Sequence, residues 1–307
     1  MRKAFVNKLT ELVSKNKNIY LLTGDLGFSV FDDFRNIFPE NFVNMGLSEA
    51  NMIGVASGMA MNGKYVFVYS IIPFITFRVL EQIRNDICLQ NLPVKIIGVG
   101  EGLTYGTSGP THHAIEDIGI MSSLPNMIVL SPGDPVEVEK LVEESINLKS
   151  PCYIRLGKNG EPAFNSPNTK IEIGKGNILK KGKDMAIITT GSMLSTCIDV
   201  ANDLEDEGIS AMVVSLHTIK PLDEELLGEI AKKVRRIFVI EEHISSCGLG
   251  NRIAYYYAQK NIELKVKYIG LPDLFIKPSG KQDFLRKQYG LDVESIKREI
   301  ICFLKSS

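Results

Sequence analysis

The sequence predicts an α/β protein built from two doubly wound domains, each a three-layer α/β/α sandwich, over residues 1–165 and 166–307. Three observations lead there. Short β-rich runs alternate with stretches of helical period, the pattern of a parallel sheet covered by helices on both faces. The alternation lapses at 157–176, a polar segment rich in Gly, Pro, Asn and Lys that reads as a linker, and then begins again. Finally, 307 residues at 44% hydrophobic composition suffice for two ordinary globular domains.

Taken in order, the strand-like runs of the first domain are 18–23, 65–70, 94–99, 127–130 and 152–156. Between the first two lies the small, apolar run 42–60, with Ser48 and Glu49 where its helix opens. The second domain has strand-like runs at 185–190, 210–214, 236–240 and 265–268, with helices such as 223–233 between them. Neither first strand leads into GxGxxG or GxxxxGK[ST], so the usual nucleotide cradles are absent.

The balance of 35 basic against 36 acidic residues, net charge −1, leaves no global basic field for nucleic acid or an anionic membrane, so any anionic ligand is held locally. Five cysteines without CxxC spacing argue against a disulfide framework and against a zinc site, and point to a reducing, cytoplasmic home. No apolar run reaches the length of a membrane span, and the amphipathic opening segment does not read as a signal peptide.

Two stretches carry chemistry. Glu49 is a lone carboxylate at the start of an apolar helix. It serves either as a capping acid together with Ser48 or as a desolvated proton partner for a ligand nitrogen. The segment Gly100-Glu-Gly-Leu-Thr-Tyr-Gly-Thr-Ser-Gly-Pro-Thr-His-His follows a strand directly, which places it at the ligand-binding edge of an α/β sheet. His112 and His113 fall where a helix is expected to begin, and adjacent positions cannot both face one site. His217 and His243 lack metal-ligand spacing, so no metal site is expected within the chain.

The motifs Gly-Leu-Ser-Glu-Ala-Asn-Met, Tyr-Ser-Ile-Ile-Pro-Phe with Glu-Gln-Ile-Arg-Asn-Asp, Gly-Pro-Thr-His-His and Pro-Asn-Met-Ile-Val-Leu-Ser-Pro-Gly-Asp resemble the transketolase family in order and spacing. The resemblance covers nearly the whole chain, as a pyrimidine-binding thiamine diphosphate domain followed by a transketolase carboxyl-terminal-like domain. It implies thiamine diphosphate as cofactor, with Glu49 holding a proton on the aminopyrimidine ring. His112 matches the first His of the family's GPTH motif, where it would contact donor-sugar oxygens. Arg2 and Ser29 match positions that bind a sugar phosphate.

The sequence also departs from the family. The aromatic position that stacks on the pyrimidine falls near Ile75 and Arg78, with Phe74 and Phe77 beside them, so an aliphatic and cationic platform is expected in its place. A phosphate-gripping histidine aligns with Gly100, a donor-reading aspartate with Ser108, and a phosphate-binding arginine with Lys158, which keeps the charge but loses the bidentate fork. The family's Gly-Asp-Gly motif, which with a downstream Asn binds diphosphate and Mg²⁺, is absent. The resemblance therefore implies the small subunit of a split transketolase, paired with a larger subunit that carries the diphosphate and Mg²⁺ site, as an α2β2 heterotetramer acting on sugars or sugar phosphates. The alternative is a decarboxylating enzyme resembling deoxyxylulose phosphate synthase or the β chain of a 2-oxo acid dehydrogenase. His243, near the turn 241–251, reads as structural.

Overall fold

A computed structural model describes residues 1–27, 29–158 and 160–306. Its strands are β1 (Ile19–Thr23), β2 (Phe42–Asn44), β3 (Tyr65–Ile71), β4 (Lys95–Val99), β5 (Ile128–Leu130), β6 (Cys152–Leu156), β7 (Asn177–Lys180), β8 (Met185–Thr189), β9 (Ala211–Ser215), β10 (Thr218–Lys220), β11 (Arg236–Ile244) and β12 (Lys265–Leu271). They form two sheets, in the orders β10-β5-β6-β4-β3-β1-β2 and β12-β11-β8-β9-β7. All pairings are parallel except β10 with β5 and β7 with β9. β4 and β6 are buried at every position, as expected of central parallel strands covered on both faces.

Four helices position the site: α1 (Arg2–Lys15), α2 (Asp32–Ile37), α3 (Glu49–Met61) and α4 (Ile72–Ile75). The buried residues of α3 are Glu49, Met52, Ile53, Ala56, Ser57 and Ala60, a single helical stripe. Ser57 Oγ donates to the Asp86 carbonyl at 2.6 Å. That carbonyl lies in a π-helical turn, Ile83–Cys88, whose wider pitch disturbs the i→i−4 ladder and frees acceptors.

The first sheet reverses its winding between β1 and β3. The chain steps outward from β1 to β2, then crosses back to β3 and continues to β4. Right-handed crossovers place α2 and α3 on opposite faces, which opens a crevice at the carboxyl ends of β1 and β3. Glu49, the loop after β1 and α4 after β3 all converge on it.

Three short strands, β2, β7 and β10, each three or four residues long and at the edge of its sheet, are not legible as strands in the sequence. β10 matters most. It lies beyond residue 166 in sequence yet hydrogen-bonds to β5 of the first sheet, pairing Thr218 with Leu130. The described residues of the segment 157–176 form no regular element, but Asn165 and Ile171 within it are buried. Asp134 Oδ2 accepts from the backbone N–H groups of Phe164 and Asn165 at 2.9 and 2.8 Å, which pins the linker to the first domain.

His217 sits at this junction, 1% exposed, with Nδ1 3.1 Å from Thr218 Oγ1. Burial pulls its pKa down to about 4, against the opposing attraction of Asp134 and Asp223. With a folded pKa below the unfolded one, His217 contributes stability above pH 6.5 that is lost as pH falls toward 4. Between pH 7 and 5 this loss is about 2 kcal/mol. The urea midpoint of His217→Gln is therefore expected to fall less than that of the wild type over this interval, and equal falls would contradict the assignment.

Candidate active site

At the β1/β3 crevice the Glu49 carboxylate is 2% exposed. Oε2 accepts from Arg78 Nη1 at 2.7 Å, and Oε1 lies 3.4 Å from Ser70 Oγ, at the long limit of a hydrogen bond. A Cβ on Gly24 would sit 3.4 Å from Oε1, in ordinary contact, so the backbone after β1 packs close along the carboxylate. Ser48 makes no side-chain cap bond to α3. The pair Ser48 and Glu49 therefore does not act as a simple cap, since the Glu49 oxygens are directed to Arg78 and Ser70.

Around Glu49, ring and cation contacts continue along the edge of the sheet. The Arg78 guanidinium carbon lies 4.2 Å from the Phe74 ring centroid. Phe74 meets the His112 ring edge-on, with centroids 5.2 Å apart, and His112 meets Tyr105 at 6.3 Å. Lys158 Nζ stands 5.0 Å from the Tyr105 centroid, and the Lys158 backbone carbonyl accepts from Arg2 Nε at 2.9 Å. Residues far apart in sequence thus form one continuous line from Glu49 to Arg2, at the edge where α/β sheets bind ligands.

Two sequence expectations need correction. Ile75 is fully buried in the core beneath α4, so it offers no face to a ligand. Ile72, Pro73 and Ile75 of α4 are all buried, and the partly buried Phe74 with the exposed Arg78 beyond it form the surface instead. His112 and His113 do not open an α-helix. His112 ends a short 3₁₀ turn, Pro110–His112, and the next α-helix begins at Asp117. The turn separates the two rings. His112 is half-buried at the cleft, with Nδ1 3.0 Å from Thr111 Oγ1, while His113 is buried and desolvation lowers its pKa.

Arg2 and Ser29 line a common cleft of about 700 Å³, together with Lys3 and Asn7 and with the acidic Glu11 and Asp33. Ser29 holds φ at 61°, a left-handed conformation that a non-glycine residue adopts at a cost and that is found at ligand-binding loops. Tyr69 and Tyr105 join the site without having been expected there. Both are affected by the Arg2 charge, which opposes the upward push of burial on their phenols. Tyr105 lies inside the glycine-rich loop that begins at Gly100, and its aromatic type is the signal that could have found it.

The loop 100–116 is fastened by Arg155 of β6. Its Nε and Nη1 pair with Asp117 and Glu101, each at 2.8 Å, and Nη2 donates to the Ala114 carbonyl at 2.8 Å. Glu101 also accepts the Ser192 N–H at 2.8 Å, tying the loop to the second domain. There, Glu241 accepts the N–H groups of Leu249 and Gly250, both at 2.9 Å, and so caps the helix Leu249–Gln259. His243 is fully buried, with Nδ1 3.1 Å from the Ile244 carbonyl. Among the described residues no three His, Cys, Asp or Glu side chains converge to hold a metal ion, and no helix is long and apolar enough to cross a membrane.

Known proteins resemble this chain in sequence and in fold. Residues 1–161 match the family described as transketolase, pyrimidine binding domain, and residues 174–296 match transketolase, C-terminal domain. The chain belongs to the transketolase family. It is 38% identical over 304 residues to a putative transketolase C-terminal section from Methanocaldococcus jannaschii, covering 98% of this chain and 95% of that protein. It is 32% identical over 306 residues to the B-type subunit of apulose-4-phosphate transketolase from Phocaeicola vulgatus, covering 99% and 97% of the two. A solved structure described as a split gene transketolase, inactive beta4 tetramer, superposes with a TM-score of 0.88 at 36% identity, covering 97% of this chain and 95% of that one. The transketolase family thus accounts for both sheets, and the crevice lies in its pyrimidine-binding domain.

Proposed function

We propose that this chain is the small subunit of a split, thiamine diphosphate-dependent transketolase, transferring a two-carbon ketol unit between sugars or sugar phosphates. The observation that carries the reading is Glu49: a buried carboxylate at the topological switch point, linked through Arg78 to the Phe74 ring, in a transketolase-family pyrimidine-binding domain.

The residues present fit the pyrimidine end of the cofactor. Glu49 would hold a proton at the ring nitrogen, Phe74 offers a half-exposed aromatic face nearby, and the missing side chain of Gly24 lets backbone lie along the carboxylate. They do not fit the diphosphate end. The sequence has no Gly-Asp-Gly, and no metal-holding cluster exists among the described residues. We therefore assign the diphosphate and Mg²⁺ to a larger partner subunit, in an α2β2 assembly. The relative named as one subunit of an apulose-4-phosphate transketolase and the structural neighbour described as an inactive tetramer of β chains support that division.

When bound, the cofactor supplies a nucleophilic carbon for the ketose carbonyl. On this reading the chain's own residues position and protonate. Glu49, 2% exposed, would hold a proton at the ring nitrogen of the ligand. His112, half-buried beside Phe74, would donate to substrate oxygens. Arg2, Ser29 and Lys158 at the far end of the line would hold the anionic or hydroxylated tail.

The reading is tested by reconstituting the chain with a partner of similar size that carries Gly-Asp-Gly and a downstream Asn, then analysing products. Transfer of a labelled two-carbon unit from a ketose phosphate to an aldose is expected. Release of carbon dioxide from pyruvate without such transfer would place the chain among the decarboxylating enzymes instead.

A further inference from the structure

We propose that Arg78 is a displaceable latch: in the isolated chain its guanidinium occupies the ring site on Glu49 and Phe74, and the site opens only to a planar, N–H-donating ring that takes over both contacts. The inference rests on the reading of Glu49 and Phe74 as the pyrimidine-binding pair.

Arg78 makes the two contacts such a ring would need. Its Nη1 is 2.7 Å from Glu49 Oε2, and its Cζ is 4.2 Å from the Phe74 centroid. A guanidinium is a flat, delocalised cation with N–H donors fixed at its rim. An aminopyrimidine protonated on its ring has the same features: a planar π face and adjacent N–H groups in one plane. The guanidinium is therefore an internal mimic of the proposed ligand, and the two exclude one another sterically.

The two halves of the ion pair differ in freedom. The Glu49 side chain is 1% exposed, whereas that of Arg78 is 48% exposed. Glu49 is fixed in the first turn of α3 with Ser70 beside its other oxygen. The Arg78 backbone is held in the short turn Phe77–Val79, between buried Thr76 and buried Val79. Its long side chain, 48% exposed, can swing into water with its charge solvated once a ring takes over the contact with Glu49. While closed, the latch compensates a carboxylate that would otherwise be buried and unpaired. A competing internal group lowers the apparent affinity of any ligand in proportion to the closed fraction.

Thiamine is the probe, because it carries the aminopyrimidine without the diphosphate and so needs no partner subunit. Calorimetric titration of the full chain is expected to show Arg78→Met binding thiamine about tenfold more tightly than wild type, a change of about 1.4 kcal/mol. The gain is expected to vanish in Arg78→Met/Glu49→Gln. Equal or weaker binding by Arg78→Met, or no binding at millimolar thiamine, overturns the latch. Unchanged affinity on adding Glu49→Gln to Arg78→Met would overturn the role of Glu49 instead, so the two failures are separable. Should Arg78→Met not fold, the wild type provides the test by NMR. The Arg78 side-chain Nε–H, assigned by its loss in Arg78→Lys, is expected to shift and exchange faster with water as thiamine is added. An unmoved resonance at saturation would overturn the proposal.

Discussion

Replacing Glu49 with glutamine is expected to leave the chain folded and to lower ketol transfer by the reconstituted enzyme about 10²–10⁴-fold, the span typical of a positioned proton-transfer group. Glutamine fills the same volume in the first turn of α3 and can keep the contact with Ser70. Its amide cannot hold the proton that the proposed role requires. Losing the ion pair costs little, because the Arg78 side chain is half exposed and its guanidinium can return to water. The stability change should be about 1 kcal/mol or less, a shift of roughly 2–4 °C in Tm for a domain of this size. Steady-state transfer rates and thermal melts of the same preparation decide the matter: full activity in a folded Glu49→Gln protein would refute the proton role.

Arg155→Met should produce the largest loss of stability, about 3–5 kcal/mol by urea denaturation, because it leaves Glu101 and Asp117 buried without their cation. Methionine approximates the arginine stem, so the loss reports the charge more than a cavity. Burial already pushes Glu101 up to about 7 with Arg155 in place, and removing the cation pushes it further in the same direction. A carboxyl whose folded pKa lies above its unfolded value destabilises the native state as pH rises between the two. The deficit of Arg155→Met relative to wild type should therefore shrink as pH is lowered from 8 toward 5. A deficit independent of pH would show that lost packing, not unpaired charge, governs the site. The loop bearing His112 is fastened by the same residue through the Ala114 carbonyl, so the variant should also lose activity in proportion to loosening of that loop.

The longer strands of both sheets are legible because parallel strands buried on two faces must be continuously apolar, as 94–99 and 152–156 are. The short strand β10 is not. Its three residues acquire strand character only by pairing with β5, an interaction between segments almost ninety residues apart that leaves no local pattern. The same limit applies at the site. Glu49, His112, Arg2, Ser29 and Lys158 are expected at a site from the family resemblance, and the fold sets them at the carboxyl edge of the first sheet. The platform is legible only in part. Sequence spacing places Ile75 beside Arg78, but the turn of α4 buries Ile75 and brings Phe74 to the surface. The pairing of Arg78 with Glu49 has no sequence signal at all, since it depends on how far the turn after β3 stands from the start of α3.

The sequence by itself determined the α/β class, the two-domain order, the transketolase resemblance and the absence of Gly-Asp-Gly, because each is written in local periodicity or in a contiguous motif. Only the tertiary structure decided that Arg78 closes over Glu49, that β10 ties the second domain into the first sheet, and that Arg155 fastens the histidine loop through Glu101, Asp117 and the Ala114 carbonyl. These are contacts between distant segments. Their geometry is set by sheet order and helix packing, which short-range residue patterns do not encode.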